Sequence, residues 1–356
     1  MKTRILRKGL WGALLALIAL PSCSKDETSS GDELEKVKQA NIILRINNLT
    51  KSTGVAHNNQ SNDNQINNLA VFVFKNDAAK TLETYKYFVI SNQELLNNIN
   101  FQSTTGLKNI YVVANSHDST QWTGIVNESD FLLKEANLKN EGLKDFTMSG
   151  KYSNASISQS NTINMTLKRV VAKVVVNSIK TDFANTPYQG ISLTSVKIYL
   201  TNVPKIRPFI EGGTTTNPFF INSGSLQPSS FSDCKISGLV YDEIAGSITD
   251  TPYSEKHHLY TYENTISQES SGQKFTRLVI EAMLNGVKYY YPVNINRDGY
   301  GGTTNNGIER NTVYNISVII KRPGSSSPEM LVEKGTVITS ITIADWDNQN
   351  MGEVEF

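Results

Sequence analysis

The residue types that most often carry chemistry are few in this sequence, and their spacing does not fit a catalytic or metal site. His257 and His258 are adjacent, so in a strand they face opposite sides, and no third ligand is spaced to complete a metal site. Gly299-Tyr300-Gly301-Gly302 lacks the Lys-Ser/Thr pair of a phosphate-binding loop. Acidic pairs occur, but none defines an acid/base couple. The sequence therefore predicts no enzyme, no cofactor and no metal.

Tyrosine and cysteine side chains offer two weaker candidates. Tyr289-Tyr290-Tyr291 could stack on a sugar, although tyrosine-rich strands are usually packing surfaces. Cys234 has no histidine or asparagine spaced to make it a nucleophile.

Two classes of protein remain possible beside a structural protein. One is a surface carbohydrate-binding protein, and the other is a glycosidase, which needs a close pair of carboxylates in a cleft.

Composition limits the class of protein further. The chain has 356 residues, which is enough for about two domains. Its net charge of +1 gives no electrostatic basis for binding nucleic acid. Charged residues make up 19% of the chain, against roughly 25% in typical domains, and cysteine is scarce. This composition suits an extracellular β protein without disulfides.

The first 23 residues have the pattern of a bacterial lipoprotein signal. Four basic residues precede an apolar run that is too short for a comfortable transmembrane helix: Lys2, Arg4, Arg7 and Lys8. The run ends in Leu20-Pro21-Ser22-Cys23, which resembles a lipobox, and a polar tether follows. We expect a signal peptide at 1–22, acylation of Cys23 and a tether at 23–40. The alternative is an ordinary secretory signal with a chance cysteine.

Two short apolar segments separated by a long polar one are the most informative feature of the N-terminal half. Residues 42–47 and 69–74 are rich in β-branched and aromatic side chains and predict two strands. The joining segment is too long for a hairpin turn and too polar to bury, which predicts an exposed, mobile loop. A trypsin-like protease could cut between Lys51 and Ser52 in this loop and free the strand at 42–47. Arg45, inside the apolar strand, is the alternative cleavage site.

The remaining pattern is mainly that of strands. A capping-box pattern predicts a short helix from Ser91, and a second helix is expected from Ser129. Asn285-Gly286 is a strong hairpin signal between two strands. We expect two β-sandwich domains, at 41–176 and 177–356, with one or two short helices in the first. The strands are expected at residues 85–90, 109–115, 162–176, 195–203, 275–284, 287–295, 313–321 and 336–343.

The C-terminal residues 336–356 have the pattern of a strand that could be donated to another subunit. Alternating positions carry apolar or β-branched side chains, and a last apolar piece follows: Val337, Thr339, Ile341, Ile343, Val354 and Phe356. The linker Pro323-Gly324-Ser325-Ser326-Ser327-Pro328 before it could act as a hinge. The alternative is an ordinary last strand of the second domain.

These features together resemble a fimbrillin of the Bacteroidales type, the subunit of type V pili. The resemblance covers almost the whole length and rests on the order and spacing of its motifs. They are the lipobox at Cys23 and segments at residues 66–74, 111–115, 148–150, 167–173, 310–316 and 344–346.

The resemblance implies two transthyretin-like β-sandwich domains and a structural (stalk) subunit that supports adhesion. It also implies export as a lipidated precursor in the outer membrane, removal of the first strand by a trypsin-like protease, and polymerisation by strand exchange into an extracellular fimbrium. Its partners would be other copies of itself and related pilus subunits, with membrane lipid held through Cys23 before assembly. The family usually has an arginine at the cleavage point, where this chain has Lys51. An accessory or tip subunit is the alternative position.

Cys23 is predicted to be the acylated N-terminus of the exported precursor. Labelling of cells with a tagged fatty acid should mark the wild-type precursor and leave a Cys23→Ala variant unmarked, since the acyl chain has no other attachment point in the lipobox. Equal labelling of the two proteins would contradict the prediction.

Overall fold

A computed structural model describes residues 37–47, 64–117, 119–213, 215, 219–228, 238–300, 304–332 and 335–345. The strands of the N-terminal half are β1 (Gln39–Asn47), β2 (Asn68–Lys75), β3 (Leu82–Val89), β4 (Ile99–Thr104), β5 (Gly106–Ala114), β6 (Glu135–Asn137), β7 (Met148–Ile157), β8 (Ser160–Thr166) and β9 (Lys168–Arg169). One α-helix, α1 (Glu128–Leu132), and three short 3-10 helices (Gln93–Asn97, Ser119–Trp122, Leu138–Asn140) lie between them.

The N-terminal half is a sandwich of two sheets. A three-stranded sheet in the order β4-β1-β8 faces a five-stranded sheet in the order β3-β2-β5-β7-β9. Alternate side chains of β1 pack against one face of β2 and β5, because successive residues of a strand point to opposite sides. The opposite face of β2 and β5 is also covered, so both strands are buried along nearly their whole length.

The C-terminal half is a second sandwich. Its strands are β10 (Val171–Thr181), β11 (Leu193–Thr201), β12 (Val203–Pro204), β13 (Ile206–Pro208), β14 (Phe220–Ile221), β15 (Tyr241–Glu243), β16 (His257–Tyr262), β17 (Arg277–Leu284), β18 (Val287–Asn294), β19 (Thr312–Ile320) and β20 (Val337–Asp345). A sheet in the order β16-β10-β19-β20 and a sheet in the order β15-β11-β17-β18 enclose its core. The predicted fold class, mainly β with tandem sandwiches, is confirmed.

One hydrophobic cluster joins the two sandwiches. It runs from the outer face of the five-stranded sheet into the C-terminal core. Phe146 packs against Tyr260 with ring centroids 4.6 Å apart, and Trp122 packs against Phe209 at 5.0 Å. β6 pairs with β13 across the same junction. The sandwiches therefore share a core at their contact.

Asn285-Gly286 forms the predicted hairpin turn between β17 and β18. Both residues have positive φ, at 49° and 78°, as the two central residues of a type I′ turn require. The predicted helix from Ser91 is a 3-10 helix that begins at Gln93, two residues later, and the side chain of Asn92 caps it. The helix expected from Ser129 is α1, and Asn127 and Asp130 form its capping box.

The expectation of one long strand at 162–176 is wrong. Residues 160–181 form three strands, and the chain leaves the N-terminal sandwich between Arg169 and Val171. β10 then pairs with β16 and β19. Periodicity alone does not show this change, because Val170 is buried like its neighbours. The chain thus crosses from the first sandwich to the second at residue 170, before the predicted domain boundary between residues 176 and 177.

The segment expected to act as a hinge is held in place. Ser325 exchanges two backbone hydrogen bonds with Tyr290 of β18, at 2.9 and 3.0 Å. Gly324 approaches β18 so closely that a Cβ atom there would lie 2.3 Å from the carbonyl oxygen of Tyr290. These contacts fix residues 324 and 325, so any movement of β20 must start after them. No helix in the described residues is long and apolar enough to cross a membrane.

A buried carboxyl group, that of Glu141, lies at the junction between the sandwiches. Its two oxygens accept hydrogen bonds from the backbone N–H of Thr147 at 2.8 Å and from the hydroxyl of Tyr262 at 2.7 Å. Burial raises the pKa of Glu141 above its ordinary value, although these hydrogen bonds favour the charged form. Ionisation of Glu141 therefore opposes folding.

Glu141 is predicted to make the fold less stable as the pH rises. A carboxyl with a raised folded-state pKa loses its proton first in the unfolded chain, so its contribution is present at low pH and is lost as the pH rises through the folded-state pKa. The stability of the wild-type chain relative to Glu141→Gln should fall as the pH rises above the ordinary carboxyl pKa of about 4. Urea denaturation of both proteins, without residues 1–23, measures the difference at each pH. A difference that stays constant or rises with pH would contradict the prediction.

Candidate functional site

The candidate site is the position of β1 between its two neighbours. β1 pairs antiparallel with β4 on one side and parallel with β8 on the other. Ala40, Ile42, Leu44 and Ile46 point inward and are at most 5% exposed. The strand is therefore hydrogen-bonded along both edges and buried on one face, as a central strand of a sheet is.

Loss of β1 would be costly because it would open a groove in the sheet. Burial of the three large inward side chains, Ile42, Leu44 and Ile46, stabilises the fold by roughly 5–9 kcal/mol at 1.5–3 kcal/mol each. Removal of the strand would also leave the N–H and C=O groups on the facing edges of β4 and β8 without partners. An empty groove of this kind would bind a strand strongly.

The two walls of the groove are held by contacts that do not involve β1. β4 turns directly into β5 of the facing sheet, where Gly106 supplies a positive φ of 111°. β7 turns into β8 through residues 158 and 159, and Asn161 accepts a hydrogen bond from the backbone N–H of Ser158 at 2.9 Å. Both walls are thus tied to the five-stranded sheet by short turns.

A buried ion pair adds to the support of β4. Glu83 of β3 accepts hydrogen bonds from the ammonium group of Lys108 at 2.6 Å, from the hydroxyl of Ser103 at 2.5 Å and from the backbone N–H of Thr104 at 2.7 Å. Burial opposes the ionisation of Glu83, but these donors outweigh it and hold its pKa below the ordinary value. Three strands, β3, β4 and β5, meet at this carboxylate.

The chain that leads into β2 is fixed independently of β1 as well. The side chain of Gln93 accepts a hydrogen bond from the N–H of Ile66 at 3.1 Å and donates one to its carbonyl oxygen at 2.7 Å. Asn115 binds the backbone of Gln65 and Asn67 in the same way. Arg169, which is 1% exposed, donates to Asn64 and to Asn311. A cut before residue 64 would therefore leave the start of β2 in place.

The predicted cleavage residues fall partly outside the described chain. Lys51 and Ser52 lie outside it, as does the predicted lipidation site Cys23. Arg45 lies within β1, opposite Asn164 of β8, with its side chain exposed. Its backbone is part of the sheet, whereas a protease needs an extended segment that is free to enter its cleft.

The predicted donor strand is β20, which pairs antiparallel with β19 at the edge of its sheet. Ile341 is 6% exposed, and Val337 and Ile343 pack against the C-terminal core. In the uncut single chain β20 is therefore the last strand of the second sandwich. This is the alternative that the sequence leaves open beside a donor strand. Val354 and Phe356 lie outside the described residues.

The other candidate residues do not form a site. His257 lies in β16 with its Nδ1 2.7 Å from Asp242 of β15, which makes a polar link between two edge strands. No group of three metal-ligating side chains occurs in the described chain. Tyr291 is buried in the core, with Tyr289 and Tyr290 half-buried beside it. Cys234, Gly301 and Gly302 lie outside the described residues.

Sequence reasoning found β1 but did not identify both walls of its groove. The alternation of Ile99 with Phe101, and of Ile163 with Met165, is the signal that could have marked β4 and β8. The pattern of residues 162–166 continues into the residues that follow and predicts one long strand instead. Alternation of apolar residues can mark a strand, but it does not show that β4 and β8 pair with β1, because these strands are far apart in the sequence.

The fold and the groove define a class of β-sandwich protein whose first strand fills a slot between two other strands. Residues 40–199 match the family described as the major fimbrial subunit protein (FimA). The major fimbrium subunit FimC of Porphyromonas gingivalis is 25% identical over 96% of this chain and 71% of its own length. Fim1C of Parabacteroides distasonis, a candidate fimbrium tip subunit, is 27% identical over 85% of this chain and 84% of its own length.

Solved structures share the fold. A fimbrilin (FimA) from Porphyromonas gingivalis superposes with a TM-score of 0.61 and 17% identity, covering 87% of this chain and 97% of its own. The tip fimbrial protein Mfa3 of the same species has a TM-score of 0.52 and 14% identity, covering 86% of this chain and 100% of its own. The predicted resemblance to Bacteroidales-type fimbrillins is confirmed by the family match and by the fimbrium-subunit relatives. The relatives are named as fimbrial subunits rather than as enzymes.

Leu44→Ala is predicted to destabilise the uncut chain by about 2–5 kcal/mol, because truncation of a fully buried side chain loses its burial and leaves a cavity. Arg45→Ala, one residue further along the same strand and exposed, should change stability by about 0.5 kcal/mol or less. Chemical denaturation of both variants measures these values. Equal effects of the two substitutions would show that β1 does not pack as described.

Proposed function

We propose that the chain is a stalk subunit of a bacterial surface fimbrium that polymerises by strand exchange. The precursor is exported as a lipoprotein through Cys23, cut after Lys51, and freed of β1. The C-terminal residues 336–356 of another copy then fill the groove. The single observation that carries this proposal is the position of β1, a buried central strand joined to β2 by the segment that holds Lys51.

The pattern of β20 supports its role as the replacement strand. Its inward positions repeat at the two-residue spacing of the inward positions of β1, so one set can take the place of the other. The four pairs, taken in the same direction, are Ala40 with Val337, Ile42 with Thr339, Leu44 with Ile341, and Ile46 with Ile343. Donation of a strand to an open sheet is an established way in which proteins bind extended segments.

Once β1 has left the groove, hydrogen bonding favours the exchanged state. At its present edge β20 has one neighbour, β19, whereas a strand in the groove has two, β4 and β8. Movement of β20 into the groove of another copy therefore gives up one ladder and gains two. Residues 346–356 extend the donor beyond the length of β1 and supply Val354 and Phe356 for further burial.

The need for a cut follows from the covalent link. While β1 is attached to β2, its effective concentration at the groove is high, and a strand from another copy cannot compete. Cleavage removes that advantage without disturbing β2, because Gln93, Asn115 and Arg169 hold residues 64–67. A trypsin-like protease fits Lys51, whereas Arg45 is held in the β1 ladder until the strand has left.

The proposed location and partners follow from this cycle. The lipidated precursor is held in the outer membrane through Cys23, and the assembled subunit is part of an extracellular fimbrium that supports adhesion. The partners are other copies of the chain and related pilus subunits. A charge of +1 gives no basis for a nucleic-acid partner.

A tip or accessory subunit is a second candidate function, favoured by the likeness to Fim1C. A tip subunit accepts a donor strand but donates none, so its C-terminal strand would be dispensable for filament formation by other subunits. The stalk and tip positions therefore differ in whether β20 is required.

Lys51→Ala is predicted to keep the chain without residues 1–23 monomeric after treatment with a trypsin-like protease, whereas the wild-type chain forms filaments. Truncation after Gly335 should give a subunit that is cut but does not polymerise, because the donor is missing. Size-exclusion chromatography and electron microscopy before and after treatment measure both results. Filaments from the truncated chain would contradict donation by β20, and filaments from the uncut chain would contradict the role of β1 as a plug.

A further inference from the structure

A cavity of ≈ 380 Å³ lies beside the end of β8. Thr166, the last residue of β8, lines the cavity and pairs with Asn47, the last residue of β1. A strand that fills the groove must therefore enter or leave beside this cavity. The other polar and charged side chains around it are Ser149, Lys151, Lys168, Glu211 and Arg310.

The lining of the cavity is more positive than negative. Lys168 lies 3.4 Å from Glu211, and both side chains are more than half exposed, so water weakens the pair. Lys151 is also exposed, with its ammonium group 5.3 Å from the ring centroid of Tyr111. Arg310 is bound to Glu263 at 2.6 Å and is buried. The two lysines are therefore the groups that can turn toward an anionic partner.

The donor segment carries the complementary charge. Residues 337–356 contain no lysine or arginine, and their acidic residues all follow the apolar alternation: Asp345, Asp347, Glu353 and Glu355. With Ile343 in the position of Ile46, Ala344 takes the position of Asn47. Asp345 then lies directly past the end of the groove, beside Thr166 and the cavity.

We infer that this cavity binds the acidic residues that follow the donor strand of a second copy, with Lys151 and Lys168 facing Asp345 and Asp347. The inference rests on the proposed strand exchange and adds a charged subsite to it. Because β4 and β8 run in opposite directions, a donor of either orientation has one parallel and one antiparallel neighbour. The walls alone thus do not select an orientation, whereas a basic cavity at one end favours the orientation that brings the acidic residues to it.

A peptide-binding experiment tests the inference on the whole chain without residues 1–23. A specific protease site placed between residues 48 and 63 allows the loop to be cut, and the probe is a fluorescent peptide of residues 336–349. Anisotropy should show that Lys151→Glu with Lys168→Glu weakens binding about tenfold at low salt and much less near 1 M salt, since exposed charge pairs are weak and screened. A peptide with Asp345→Lys and Asp347→Lys should bind the double variant better than the wild-type peptide does.

The matched control is Lys75→Glu with Lys86→Glu, which makes the same change in net charge on strands β2 and β3. This control should bind the wild-type peptide as the unchanged chain does. Equal affinity of the wild-type chain and the Lys151/Lys168 variant would overturn the cavity subsite and leave strand exchange standing. Failure of the wild-type peptide to bind the cut wild-type chain at all would overturn strand exchange itself.

Discussion

The ladders that β1 forms with β4 and β8 are the constraint on which the rest of the account depends. A strand paired on both edges and buried on one face cannot leave without exposing apolar side chains and unpaired backbone groups. The same cost that keeps the uncut chain closed makes the vacated groove a strong acceptor. In the proposed strand exchange, this one structural feature would account for a stable precursor and for an assembly-competent product, and the covalent link between β1 and β2 would decide between them.

The contacts around β1 and before β20 hold the segments that would keep their positions in the proposed exchange. The Glu83 carboxylate ties β3, β4 and β5 together, and Gln93 and Arg169 hold the chain that enters β2. At the other end, the backbone pairing of Ser325 with Tyr290 fixes the connection before β20. A shared core joins the two sandwiches. The changes that the proposed exchange requires would thus be confined to β1 and to the chain after residue 325.

The sequence was informative where local pattern decides structure. The alternation of Ile42, Leu44 and Ile46 marked β1 and its inward face, and Asn285-Gly286 marked a turn whose positive φ values few other residue pairs adopt. The sequence was uninformative where contacts between residues far apart in the chain decide the structure. Val170 lies at a passage between sandwiches, and Arg169 and Glu141 are buried because Asn311 and Tyr262, far along the chain, supply their partners. Local alternation cannot show which strands flank β1, since pairing over such distances depends on the assembled sheets.

The most direct test of strand exchange is a disulfide between neighbouring subunits in the filament. Thr342 would take the place of Arg45, whose partner on β8 is Asn164, and all three side chains are exposed. In a Cys234→Ser chain without residues 1–23, Thr342→Cys and Asn164→Cys should place two thiols within bonding distance across the groove. Oxidised filaments are predicted to run as a covalent ladder on a non-reducing gel, and the uncut chain as a monomer. Filaments that give no ladder, while Thr342→Cys still joins Asn315→Cys within one chain, would contradict the account, because β20 would then have stayed on β19.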